Sequence, residues 1–149
     1  MLYESVSAAP CRGNSVLRSL LHIDGLLDRI ADLTKNAGLL HQRFQSTTLQ
    51  SDRETMVARL REEVTILDRH VEEHKKAVRS INFQDIVALY GVAGRTSEEA
   101  LAEVQGDFEG VGSMVEEMRR CAREALADAV HEGTETPSTG SEIDLSEEE

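Results

Sequence analysis

The chain reads as all-α: three long amphipathic helices in an antiparallel hairpin or bundle with coiled-coil seams, followed by a disordered acidic C-terminal tail. Three observations predict this. Apolar residues recur in a 3-4 alternation along three separate stretches. Only two prolines, Pro10 and Pro137, interrupt the chain, so everything between them is free to be helical. Aromatic residues make up 3% and tryptophan is absent, which leaves little bulk for a thick core and favours thin helical packing.

Taken in order, residues 1–13 mix small side chains with Pro10 and Gly13 and are expected to be a poorly ordered start. Asn14 or Ser15 then caps a first helix, 14–46, by satisfying a free amide of its first turn. Its heptad runs Val16, Leu20, Ile23, Leu27, Ile30, Ala37 and Phe44, with Thr34 and His41 at the polar positions. Leu17, Leu21, Leu26, Leu33 and Leu40 widen that stripe. A helix apolar on two flanks is built to touch more than one neighbour, which points to a bundle.

Between Gln45 and Ser51 the heptad phase shifts, from a seam position at Thr48 to one at Gln50, so a short turn is expected there. Ser51-Asp52-Arg53-Glu54 has the form of a capping box opening a second helix, 51–90. Within it lies the most regular seam of the chain: Val57, Leu60, Val64, Leu67, Val71, His74, Val78 and Ile81. Valine fills every first position while leucine, histidine and isoleucine share the second, and a β-branched residue paired with leucine suits two-stranded coils. Asp85 falls where the next apolar residue belongs, so the strict seam ends near Ile81.

Gly91-Val92-Ala93-Gly94 supplies residues tolerant of positive φ and marks a turn. The same stretch lacks the lysine and preceding strand of a phosphate loop. Thr96-Ser97-Glu98-Glu99 is a second capping box, opening a third helix, 96–131. Its seam runs Leu101, Val104, Phe108, Val111, Val115, Met118, Ala122, Ala125 and Ala129. Gly106, Gly110 and Gly112 each cost about 1 kcal/mol relative to alanine, so this helix depends on packing. Residues 14–131 thus form one helical domain, and 132–149 an acidic tail without periodicity.

The net charge of −12 argues against nucleic acid and against anionic membranes as partners, since both require a basic face. From Glu132 onward there are seven acidic residues and no Lys or Arg, so the tail carries more than half of that charge. The apolar runs are far too short to span a membrane. Cys11 and Cys121 lie far apart, and no basic-then-apolar N-terminal run suggests secretion, so a cytoplasmic location with incidental thiols is expected.

The charges flanking the second seam bear on its partner. In a parallel homodimer Glu63 faces Asp68, and His70 faces Lys75. Such pairs weaken self-association by a few tenths of a kcal/mol each. A neighbouring helix of the chain, or a helix of a different protein, removes the conflict, so a hetero-complex is favoured over a parallel homodimer. The second seam, with Leu101 to Met118 of the third, is the expected partner interface.

His74 sits inside the seam. A polar residue there can fix register or sense pH, but its simpler role is that of an interface residue with its polar edge in water. His70-Val71-Glu72-Glu73-His74 also has the H-x-x-E-H form of inverted zinc peptidases. No large scaffold or third ligand accompanies it, so no catalytic, metal or cofactor site is assigned.

In the tail, Ser141 and Ser146 each precede an acidic residue by three positions, which suits acid-directed kinases, and Thr136-Pro137 suits a proline-directed one. Ile143-Asp144-Leu145, followed by Ser146 and acids, has the form of a SUMO-interaction motif. A plain solubilising tail is the default expectation.

Glu72-Glu73-His74, Ala77 and Ile81 resemble the E-E-H-x-x-A-x-x-x-I stretch of the suppressor of IKK-epsilon (SIKE) family of coiled-coil proteins. Met118-Arg119-Arg120 lies where a later helix of that family has a loosely similar stretch. The resemblance implies a coiled-coil adaptor within striatin-type phosphatase and kinase assemblies. The family's Gln/Asn-rich helix before the motif is here the valine-rich seam. The functional expectation is therefore a non-enzymatic adaptor or scaffold subunit that binds a helical protein, with a regulator acting through the tail as the alternative.

Overall fold

The computed structural model describes the backbone of residues 2–90 and 96–141 and the side chains of residues 15–90 and 96–132. Four helices account for nearly all of it: α1 Leu2–Ser46, α2 Gln50–Arg79, α3 Phe83–Tyr90 and α4 Ser97–Ser141. No strand occurs among the described residues. The chain is all-α.

The helix boundaries differ from expectation in four places. α1 begins at Leu2 rather than 14, its backbone running through Pro10 and Gly13. α4 ends at Ser141 rather than 131, running through Gly133 and Pro137. Glycine and proline cost a helix interior about 1 and 3 kcal/mol, but once a packed stretch has nucleated a helix each further residue adds a hydrogen bond. The side chains of both extensions, and the turn at 91–95, lie outside the described residues.

The third difference is at the start of α2. Arg53 donates its amide to the Leu49 carbonyl at 3.0 Å, so Ser51 is already within the first turn. Glu54 meets the Gln50 side chain at 3.3 Å instead of returning to Ser51. The expected box is displaced because the helix starts earlier.

The fourth is a break in what reads as one helix over 51–90. α2 stops at Arg79, with Ser80 Oγ donating to the Ala77 carbonyl at 2.9 Å. Asn82 then caps α3, its Oδ1 accepting from the amides of Gln84 at 2.9 Å and Asp85 at 3.4 Å. A short side chain that satisfies free amides offers the backbone a better alternative than continuing the helix. Ile81 therefore lies in the connector, not in a helical seam.

The α1–α2 junction and the start of α4 follow the sequence. Thr47-Thr48-Leu49 joins α1 to α2, and Thr47 Oγ1 donates to the Arg43 carbonyl at 2.7 Å. At the start of α4, Glu99 donates its amide to Thr96 Oγ1 at 3.1 Å. The Thr96 amide donates to Glu99 Oε1 at 3.0 Å, so two orphan donors are satisfied reciprocally.

The chain divides into two compact units, and α1, α2 and α4 each contribute to both. Unit 1 comprises Met1–Arg29 and His70–Glu116; unit 2 comprises Ile30–Arg69 and Glu117–Glu149.

Unit 2 is a three-helix arrangement around Ile30, Ala37, Leu40 and Phe44 of α1, Leu60, Val64 and Leu67 of α2, and Ala122 and Ala129 of α4. Thr47, just past the end of α1, meets Met56 near the start of α2, so these two run antiparallel. Arg53, early in α2, reaches Glu132 late in α4 at 3.4 Å, while the later Asp68 meets the earlier Arg123 at 3.0 Å. α4 is therefore antiparallel to α2 and parallel to α1. The Arg53 guanidinium also lies 4.3 Å above the Phe44 ring, a cation-π contact that covers one end of the core.

Unit 1 is built around Ile23 and Leu26 of α1, Val71 and His74 of α2, Ile86 of α3, and Ala100 and Val115 of α4. Phe83 of α3 and Phe108 of α4 pack with ring centroids 5.2 Å apart at 59°. That tilted geometry lets a ring edge meet a ring face.

Candidate functional site

The seam residues expected to meet a partner divide sharply in the structure. Leu60, Val64, Leu67, Val71, His74 and Val115 are buried against other helices of their own unit. Val57, Val78, Ile81, Leu101, Val104, Phe108, Val111 and Met118 are half-buried. The valine-leucine seam is thus largely packed within the chain. α1 and α4 supply the missing apolar faces, because a seam is satisfied by whichever apolar helix the turns bring against it.

The flanking charges are likewise settled internally. Asp68 pairs with Arg123. Lys75 pairs with Glu116 and also lies 3.5 Å from Glu72. His70 Nδ1 lies 3.2 Å from Glu73 Oε1. Asp68 and Lys75 thus have opposite partners within the chain, while Glu63 Oε1 is buried without a hydrogen-bond partner.

His74 is 1% exposed and its Nε2 has no hydrogen-bond partner. Its polar edge is therefore not in water, contrary to expectation. Burial disfavours the imidazolium and holds the His74 pKa below the ordinary value. The H-x-x-E-H spacing yields no paired ligands here, since His74 points into the core and Glu73 is turned to His70. No group of three or more His, Cys, Asp or Glu that could hold a metal occurs among the described residues.

Elsewhere the charged groups act as surface braces. Arg120 bridges Glu117 and Glu124 along α4, with its Nε 3.1 Å from Glu117 Oε1. That hydrogen bond holds the Glu117 carboxyl below its usual range and pushes the Arg120 guanidinium up. Cys121 is a free, exposed thiol directed at Glu117 Oε2, 3.8 Å away.

What the seams do not reveal is the apolar surface left over. In unit 1, Leu17, Leu21, Leu89, Tyr90 and Met114 are all between 45% and 60% exposed. In the same unit an open trough of about 310 Å³ runs between α1 and α4. Leu20, Ile23, Leu27, Phe108 and Val111 line it, and among the described residues its charged lining residues are Asp24 and Asp107. The sequence carried a partial signal. Leu17 and Leu21 stand off the α1 seam, and from Ser97 to Glu116 α4 has six acidic residues and no Lys or Arg. Neither observation says which side of α1 faces α4.

In the tail, the side chain of Ser141 and all of Ile143, Asp144, Leu145 and Ser146 lie outside the described residues. Among the described residues no helix is long and apolar enough to cross a membrane. Comparison with protein-family models, curated proteins and solved structures returned no match.

Proposed function

We propose that the chain is a non-enzymatic helical adaptor or scaffold subunit, of coiled-coil character, that assembles with another helical protein in the cytoplasm. The observation that carries this is apolar surface left uncovered in unit 1: an open trough floored by leucine, isoleucine, valine and phenylalanine, in a unit where Leu17, Leu21, Leu89, Tyr90 and Met114 are also exposed. Apolar residues grouped in this way mark interaction surfaces more often than isolated ones do. The most perturbed ionisable groups support the same view. His74 is a core side chain, while Glu117 and Arg120 brace one another on the surface. The resemblance of Glu72-Glu73-His74, Ala77 and Ile81 to the SIKE family adds an adaptor within striatin-type assemblies as a candidate setting. Affinity capture of the full chain, with mass measurement of the recovered complex, tests the proposal. A stoichiometric hetero-complex is expected, and a self-associated species without other chains overturns it.

A second reading is favoured by the tail sequence. Ser141 and Ser146 with acids three positions on, and Ile143-Asp144-Leu145, suit a regulator that works through a phosphorylated or SUMO-binding segment. Deleting residues 133–149 separates the two: loss of the captured partner moves the function to the tail, and retention keeps it on the helices.

A further inference from the structure

We infer that the trough between α1 and α4 of unit 1 is a docking groove for a basic amphipathic helix of a partner protein. The inference rests on the scaffold reading and supplies the surface and the partner chemistry that reading lacks. The floor is apolar, formed by Leu20, Ile23 and Leu27 at helical spacing on α1 with Phe108 and Val111 on α4. Such a floor receives the i, i+3, i+4 and i+7 anchors of a helix laid along it. Phe108 packs against Phe83 of α3, a contact that restricts its ring.

Charge selects the occupant. Asp24 and Asp107 stand one on each wall, and α4 over Ser97 to Glu116 is acid-only. A second copy of the chain, docked by a two-fold axis through the trough, sets the two aspartates of one protomer against the same pair on the other. The 142–149 segment carries five acids and is repelled in the same way. A helix with leucines on one face and lysine or arginine along both flanks buries its apolar stripe and meets each aspartate with an opposite charge.

The test uses the full chain and two labelled synthetic peptides of identical leucine heptads, one flanked by lysine and the other by glutamate. Fluorescence anisotropy is expected to show binding of the lysine peptide only. Asp24→Lys combined with Asp107→Lys should weaken it by about tenfold or more, because both rim contacts become repulsive. Asp52→Lys combined with Glu62→Lys makes the same change in net charge on exposed α2 positions outside the trough, and should leave affinity within about twofold. Leu20→Gln, with circular dichroism to confirm retained helicity, should also abolish binding. Equal binding of both peptides, equal loss in the two charge-reversed variants, or a chain dimer that Leu20→Gln dissociates each overturns the inference. Capture of a helical partner that ignores the trough variants refutes this surface but leaves the scaffold proposal standing; capture of self alone refutes the scaffold as well.

Discussion

Unit 2 and unit 1 are made from the same three long helices, yet they use their apolar residues differently. Unit 2 closes over Phe44, Leu60 and Leu67, each at most 1% exposed. Two ion pairs between helices, Arg53 with Glu132 and Asp68 with Arg123, and a hydrogen bond between His41 Nε2 and Asp128 Oδ2 lie around that core. In unit 1 the α4 seam from Leu101 to Val111 is only half-buried and a histidine occupies a core position; exposed leucines occur in both units, Leu17 and Leu21 in unit 1 and Leu39 and Leu49 in unit 2. A regular heptad guarantees an apolar stripe; it does not guarantee that the chain covers it. Where small α4 residues such as Ala122 and Ala129 let helices approach, the core closes. Where the α4 seam residues Leu101, Val104, Phe108 and Val111 are only half-buried, a trough remains.

The largest effect should come from truncating the closed unit. Phe44→Ala removes a fully buried ring and the platform under Arg53, and should cost about 3–5 kcal/mol, whereas Phe108→Ala in the open unit should cost clearly less. Urea unfolding of the two variants checks this, and equal losses would erase the distinction between the units.

His74 offers a change of opposite sign. His74→Leu replaces an unpartnered buried nitrogen with an apolar group and should raise stability by about 1–3 kcal/mol, read as a higher melting temperature. The pH dependence follows the same cause. Burial lowers the folded-state pKa from the ordinary 6.5, so below pH 6.5 the unfolded chain binds a proton that the folded chain resists. This group therefore costs stability as pH falls from 6.5 towards the lowered value, and adds nothing to the pH dependence above it. Comparing wild type with His74→Leu at pH 7.5 and pH 5.5 should show the difference between them widening in acid; a constant difference would place the imidazole in water.

Smaller effects probe the open wall of α4. Gly106→Ala and Gly110→Ala meet no steric obstacle and should each stabilise by about 1 kcal/mol. Loss of stability in either would mean that another backbone approaches there. Thr96→Ala should cost about 1 kcal/mol by breaking the capping box that starts α4, with the fraying visible as faster amide exchange over 97–100.

Much of the fold was legible before any coordinate. The α1–α2 turn followed from a phase shift, and the Thr96–Glu99 box from two side chains that satisfy each other's amides. The break at Ser80–Asn82 was missed although Asn82 is a strong cap, because the apolar pattern on either side reads through it. The α1 stripe was centred slightly wrongly. Leu26 and Leu40 entered the core while Leu17 and Leu21 did not, and a two-flanked helix leaves that choice to its neighbours. The candidate site was the least legible part, since a residue's membership of a seam says nothing about which helix fills it.

By itself the sequence determined that the chain is helical, where α1 ends, about where α2 and α4 begin, and which residues are apolar enough to be buried. Those are consequences of local periodicity and of hydrogen bonds reaching only a few residues. Only the tertiary structure decided that the α2 seam is spent on α1 and α4, that His74 is sealed with its Nε2 unpaired, and that Leu20, Phe108 and Asp107 line one trough. These depend on residues far apart in the chain arriving at one place, and no spacing along a single helix encodes that meeting.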